Sequence, residues 1–317
     1  MVRKTNQPLL QYKTTRKEKR NAAGFTGRVL HLPRLTSIGW PGGMDVELIA
    51  FGGDKRMDGL LGAARKAGFG CRHVKGEEEL RTLGAQTDVI VLPWPRWKSG
   101  AQVTGSEMDA KEVLETLPSC AMLMGGGVEE RDFPHAKQVF DPSWDEALLT
   151  LNAKLTAEGA LAMLLQSPDG AMIGKTCVIT GFGRIARALA VRLAAMEVFV
   201  IVCARNEQQM LLAHRMGAHP VPMDKLTQAA AQADIVLNTV PARIFGSDAL
   251  AQMKPGVRYI ELASAPYGAD PELAAHLGVG MEIMGGIPGK YAPLQAGEAL
   301  FGAMMRALTQ SGMKEDA

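Results

Sequence analysis

Cysteine is sparse in this chain of 317 residues: Cys71, Cys120, Cys177 and Cys203 are the only four, and none stands in Cys-x-x-Cys spacing. That excludes a disulfide framework and a thiolate zinc site, and no metal centre is expected. The four read as small buried hydrophobes in a reducing, cytoplasmic setting. No uninterrupted apolar run reaches the roughly 20 residues that a membrane span needs, and no secretory core follows the first residues. Internal repeats and low-complexity tracts are also missing. What is left is a globular composition, 47% hydrophobic and 21% charged, with length for two separate cores.

Acidic residues are nearly absent from one place. Residues 1–43 hold nine Lys/Arg and a single acid, Glu18, so the net charge of +2 belongs to this segment and the rest of the chain is negative. Its run Lys13-Thr14-Thr15-Arg16-Lys17-Glu18-Lys19-Arg20 has the charge to bind nucleic acid or an anionic surface. A solvated, disordered tail is favoured over either, because nothing in it can form a core. A third reading is a misassigned start, with Met44, just before the first apolar strand, as the natural beginning.

The organising stretch is Lys175 to Ala186, where an apolar run ends in Gly181-Phe182-Gly183-Arg184-Ile185-Ala186 and opens an amphipathic helix. Gly181 permits a sharp strand-to-helix turn. Gly183 leaves room for a pyrophosphate, and the small Ala186 lets the helix pack closely on the strand. Phosphates then sit on free N–H groups at the helix N-terminus. The next apolar strand, 198–202, completes a β-α-β unit and makes this a dinucleotide site. An NAD site places Asp or Glu at the end of that second strand, whereas this chain reads Cys203-Ala204-Arg205-Asn206. A guanidinium at Arg205 holds a 2′-phosphate where a carboxylate would repel it, so NADP is the expected cofactor.

Before this unit, strands are expected at 46–51, 70–74, 88–93, 121–124 and 138–140, alternating with helices at 57–67, 77–83 and 109–117. A loop over 93–100 carries Trp94 and Trp97. A helical connector follows over 145–166, with a polar interruption near Asn152. After the fingerprint come helices at 207–216, 224–232, 248–253 and 271–277, with strands at 234–239, 258–263 and 281–284. A Gly/Pro-rich loop over 285–293 precedes a last helix over 294–308. Alternation of this kind predicts parallel sheets with helices on both faces. The expected fold is α/β: two Rossmann-like doubly wound domains with an interdomain cleft. The expected parts are the basic tail 1–43, a substrate-side domain 44–150, an NADP-binding domain 151–293, and a C-terminal helix 294–317 packing back. Thr239, Val240, Pro241 and Ala263 follow strand ends and should border the nicotinamide half of the cofactor.

This arrangement resembles the D-2-hydroxyacid dehydrogenases, but not their chemistry. Where those carry a catalytic Arg after a late strand and a His after the last one, this chain has Glu261-Leu262-Ala263-Ser264-Ala265 and Gly286-Ile287-Pro288-Gly289-Lys290. Phe51-Gly52-Gly53-Asp54-Lys55-Arg56, Thr156-Ala157-Glu158-Gly159, the cofactor turn, Asn238-Thr239-Val240-Pro241 and the two segments just quoted resemble, in order and spacing, the dipicolinate synthase A subunits. The resemblance covers nearly all of residues 44–311. It implies oxidation of dihydrodipicolinate by NADP⁺ in endospore formation, an oligomer and a flavoprotein-like second subunit, with no membrane or nucleic-acid partner. On that resemblance the substrate dicarboxylate is expected at Asp54, Lys55, Arg56, Pro288 and Gly289, with Lys55, Arg56 and Lys290 as its carboxylate anchors. The proton acceptor is expected among Lys290, Tyr291 and Glu158. Two other functions stay open: a dehydrogenase of another small carboxylic or imino acid, and a nicotinamide-binding regulatory protein.

Arg205→Ala should weaken NADP⁺ by about tenfold or more and leave NAD⁺ nearly unchanged in titration calorimetry; equal weakening of both would remove the 2′-phosphate argument.

Overall fold

The computed structural model describes residues 46–83, 86–94, 102–166 and 170–315. The basic segment 1–43, the loop residues 95–100 and the expected helix stop at 167–169 lie outside the described residues.

The N-terminal lobe is a five-stranded parallel sheet of β1 (Glu47–Phe51), β2 (Gly70–Val74), β3 (Gln86–Val91), β4 (Ser119–Met124) and β5 (Ala136–Phe140), in the order β2-β1-β3-β4-β5. β1 lies inside the sheet, and Leu48, Ile49, Ala50 and Phe51 are wholly enclosed, which is why it reads as an unbroken apolar run. Helices α1 (Arg56–Lys66), α2 (Glu77–Arg81) and α3 (Ala110–Thr116) connect the strands. α3 starts with a full capping box, Asp109 accepting from the Glu112 amide at 3.0 Å while Glu112 accepts from the Asp109 amide at 3.1 Å.

A 3-10 turn at Pro142–Trp144 leads into α4 (Glu146–Leu165), one continuous helix without the interruption expected near Asn152. Its length and mean hydropathy of 1.3 would suit a membrane span, alone in this among the described helices. Half of that window is buried inside the protein, as in a core helix, because Ala157, Ala160, Leu161 and Leu164 share a core with the following strands.

The second sheet has six parallel strands: β6 (Thr176–Thr180), β7 (Phe199–Ala204), β8 (His219–Pro222), β9 (Ile235–Asn238), β10 (Arg258–Glu261) and β11 (Met281–Ile283). Their order is β11-β10-β9-β6-β7-β8, the doubly wound arrangement in which the chain reverses at β6. α5 (Arg184–Ala195) and α6 (Glu207–Arg215) follow β6 and β7; α7 (Leu226–Ala230), α8 (Ser247–Ala251) and α9 (Pro271–His276) serve the other strands. One core lies between the sheet and α4 and α5, a second beneath α7, α8 and α9. β8 was not foreseen. It carries two prolines and pairs with β7 alone, and an edge strand tolerates residues that cannot donate to a ladder.

The segment 285–293, expected as a loop, forms a short helix, α10 (Ile287–Tyr291). The chain ends in α11 (Pro293–Glu315), which packs along α1 on the N-terminal lobe with Phe301 enclosed and edge-on to Phe69 at 5.6 Å. Arg306 of α11 also reaches the start of α4. Its Nε and Nη2 donate to the two oxygens of Asp145, at 2.7 and 2.8 Å, while Asp145 caps α4 through the Leu148 amide. Burial alone would push the Asp145 carboxyl up; the bonds from Arg306 and the Leu148 amide, with the Arg306 charge, hold it below the usual carboxylate range.

A depressed folded-state value means stability that is present above the unfolded carboxylate range and lost as pH falls through the folded value. Arg306→Ala should therefore lower stability at pH 7 by about 1 kcal/mol, discounted for the part-exposed guanidinium. Urea denaturation midpoints of wild type and variant should converge as pH falls below the ordinary carboxylate range; a gap as large in acid as at pH 7 would contradict the ion-pair account.

Candidate functional site

The site is built from the carboxyl ends of the second sheet. After β6, Gly181 takes φ +74° and its N–H donates to the Cys203 carbonyl at 2.8 Å. A Cβ there would stand 2.9 Å from Cγ2 of Val240, so glycine is required on both counts. Phe182 sends its ring into the core, leaving only its backbone at the turn. Gly183, exposed and facing open space, is the N-cap of α5 and supplies no side-chain cap. The first amides of α5 therefore have no side chain capping them. A pyrophosphate fits this turn: open space above Gly183, uncapped N–H groups and the positive end of a helix. Ile185 packs its side chain against the core beneath, anchoring the first turn.

Three charged or polar candidates have defined surroundings. Arg184 forms a forked pair with Glu146 at the start of α4: its Nε donates to Oε1 at 2.9 Å, and its Nη2 to Oε2. Arg205 is exposed at the end of β7 with no ion pair among the described residues. Asn206 caps α6 by accepting from the Gln209 amide at 2.8 Å, so its side-chain oxygen already has a structural partner.

Beneath the turn lies a buried polar chain that sequence reasoning passed over. Register places Thr180, Asn238 and Glu261 level on adjacent strands β6, β9 and β10, and all three are fully buried. Thr180 Oγ1 donates to Asn238 Oδ1 at 2.5 Å, and Asn238 Nδ2 donates to Glu261 Oε1 at 2.6 Å. Glu261 also accepts from the Ala263 and Gly268 amides at 3.0 and 2.8 Å, and from the Tyr259 hydroxyl at 3.4 Å. Burial pushes its carboxyl above the ordinary range, against these donors. Burial, and then the Glu261 charge, push the Tyr259 hydroxyl up as well. Asn238 further holds the next turn, accepting from the Val240 amide at 3.1 Å and donating to the Val240 carbonyl at 2.9 Å. Thr239 Oγ1 donates to the Thr180 carbonyl at 2.7 Å. Val240 and Ala263 are thus fixed, and Pro241 stays exposed beyond them. The signal in sequence was an amide closing the apolar strand β9 and an acid closing its neighbour β10.

Across from this edge, the N-terminal lobe presents its own turn after β1. Arg56 Nε and Nη2 donate to Asp54 at 2.9 Å each, Nη2 donates to the Trp94 carbonyl at 2.6 Å, and the guanidinium lies 5.9 Å from the centre of the Trp94 ring. Burial would raise the Asp54 carboxyl, but the Arg56 bonds and charge hold it low. Expected as a carboxylate anchor, Arg56 already has one edge of its fork on a carboxylate of the protein itself. Lys55 is exposed. Trp94 is buried with its Nε1 donating to Ser143 Oγ at 3.1 Å. Beside these groups is a cavity of about 170 Å³, lined by Asp54, Arg56, Met57, Trp94 and Leu300 among others.

α10 divides the remaining candidates. Pro288 and Gly289 are buried, and a Cβ on Gly289 would stand 2.8 Å from Asp54 Oδ2, so this face abuts the Asp54–Arg56 pair. Ile287 and Tyr291 turn the other way and pack on Gly159 of α4. Lys290 and Tyr291 line a second cavity, about 240 Å³, with Met163, Gln166 and Ile283. Glu158 pairs with Arg192 at 2.6 Å, eight positions past Arg184 on α5 and so about 12 Å along it. Glu158 is thus tied to α5, Lys290 and Tyr291 face the cavity beside Gly159, and Asp54 and Arg56 line the separate cavity beside Trp94. Among the described residues no cluster of His, Cys, Asp and Glu could hold a metal ion.

Residues 157–281 match the family described as D-isomer specific 2-hydroxyacid dehydrogenase, NAD binding domain, which makes this part of the chain a nicotinamide dinucleotide-binding domain. Over 240 residues the chain is 30% identical to the Bacillus subtilis (strain 168) member of the dipicolinate synthase A subunits, covering 73% of this chain and 80% of the relative. In fold it resembles the Bacillus halodurans member of the same group, with TM-score 0.72 and 23% identity over 84% of this chain and 99% of the other. It also resembles apo D-lactate dehydrogenase from Escherichia coli, with TM-score 0.57 and 15% identity over 85% and 98%.

Glu261→Ala would strand the Asn238 amide and two backbone N–H groups in a buried space. The expected loss is about 3 kcal/mol in denaturant unfolding, and a loss under about 1 kcal/mol would show that the chain of bonds is dispensable.

Proposed function

Because the chain belongs to the family of the dipicolinate synthase A subunits, we propose that it oxidises dihydrodipicolinate to dipicolinate with NADP⁺ as hydride acceptor, beside a flavoprotein-like partner and in support of endospore formation. The observation that supports this most is the reach of the similarity: 240 aligned residues are too many for the dinucleotide domain 157–281 alone. Kinship therefore extends into the substrate-side lobe.

The bound nicotinamide supplies the hydride acceptor. The first amides of α5 hold the pyrophosphate, and Arg205 takes the 2′-phosphate. Thr239, Val240, Pro241 and Ala263 border the nicotinamide end. The substrate brings two carboxylates, so it needs cations. Lys55 is exposed for one, and Arg56, held rigid by Asp54 and Trp94, offers the edge of its guanidinium that Asp54 does not occupy. Pro288 and Gly289 close the wall behind that pair. The ring loses one hydride and one proton; aromatisation drives both, so orientation and charge matter more than a strong base. Glu158 is left out, tied to Arg192, and Lys290 and Tyr291 act through the packing of α10 while the proton leaves to water.

A second reading is a nicotinamide-binding regulatory protein. It is favoured by one observation, the capture of the Arg56 fork by Asp54. Purified protein, with and without its flavoprotein partner, should be given freshly formed dihydrodipicolinate and NADP⁺. The leading reading expects NADPH to accumulate, and Lys55→Ala to raise KM about tenfold with a smaller change in kcat. NADP⁺ binding with no turnover in either condition would replace it with the regulatory one.

A further inference from the structure

The forked pair between Arg184 and Glu146 stands where the dinucleotide must come in. Arg184 is the first residue of α5, directly after the Gly183 N-cap, and Glu146 is the first residue of α4. Two helix N-termini therefore meet at this point, and both favour an anion. Arg187, one turn along α5, adds positive charge felt by Glu146, and the Thr150 hydroxyl reaches its Oε1 at 3.5 Å. The neighbouring carboxylate, Asp145, faces away to Arg306 of α11.

Within this positive environment Glu146 supplies the negative charge that a ligand would otherwise supply. Its two oxygens fill one edge of the Arg184 guanidinium, the edge suited to two phosphate oxygens. Both side chains are accessible, 44% exposed for Arg184 and 69% for Glu146, so the pair can part without unpacking the core.

We propose that Glu146 is the affinity-setting residue of the dinucleotide site: it occupies Arg184 in the free protein, and the pyrophosphate displaces it. This rests on the reading that a pyrophosphate binds at Gly183–Ala186. Displacement removes the Glu146–Arg184 tie between the starts of α4 and α5 while Asp145 remains bound to α11. Ligand arrival is thereby felt at the joint that carries the chain from one lobe to the other.

Titration calorimetry on the full chain with NADP⁺, ADP-ribose and adenosine 2′-monophosphate tests the idea. Glu146→Gln should tighten NADP⁺ and ADP-ribose by about three- to fivefold, the size of effect an exposed ion pair supports. Adenosine 2′-monophosphate, which carries the 2′-phosphate and nothing at the 5′ position, should bind equally to both proteins. In the Arg184→Ala background the same change should bring no gain beyond about 1.5-fold, since the contested partner is gone. Unchanged or weaker NADP⁺ binding by Glu146→Gln, or equal tightening of all three ligands, would overturn the inference. Wild-type protein that binds neither NADP⁺ nor ADP-ribose would instead overturn the pyrophosphate reading beneath it.

Discussion

Glu261 is the group on which the geometry of this edge depends. Parallel strands leave their carboxyl ends without a hairpin partner, so the loops beyond β6, β9 and β10 need something else to fix them. Here a carboxylate removed from water accepts from Asn238, two loop amides and Tyr259, and Asn238 passes the constraint on to Thr180 and Val240. Such a buried network is costly when incomplete and confers a defined shape when satisfied. Val240 then stands against Gly181, so the cofactor turn takes its position from a carboxylate two strands away.

The second constraint is at the joint. The chain crosses between lobes before α4 and again before α11, and Asp145 and Glu146 sit at the first crossing. One holds the helix that packs on the N-terminal lobe; the other holds the cofactor turn. α10 fills the remaining gap, with Gly289 against Asp54 and Tyr291 against Gly159. The two sheets reverse direction at β1 and β6, where α/β sheets bind ligands. Each of those strands ends in one of the two glycine turns of the site.

Much of the fold was legible because its signals are local. Strands buried on both faces are apolar runs, and Gly181-Phe182-Gly183 announces its turn by spacing. What escaped depended on rotation or partnership. Pro220 and Pro222 hid β8 until its edge position was known. Gly286, Pro288 and Gly289 suggested a loop where α10 forms. Sequence order put Lys290 and Tyr291 beside Pro288 and Gly289, but one turn of helix points them at a different cavity. Glu158, expected as a proton acceptor, is paired with Arg192 of α5, a partner 34 positions away that no local pattern announces. Glu261 read as one polar residue within an expected strand over 258–263, and no local pattern reveals the bond from Asn238, 23 positions away on the neighbouring strand.

The central claim is that the turn after β6 receives the dinucleotide on a platform fixed by the strands beside it. Backbone amide NMR of the full chain during NADP⁺ titration tests it most directly. The account predicts the largest shifts at the amides of Gly183 to Ala186, with smaller ones at Val240 and Ala263 and little at Lys290 or Tyr291. Saturable binding that leaves Gly183 to Ala186 unmoved would contradict it.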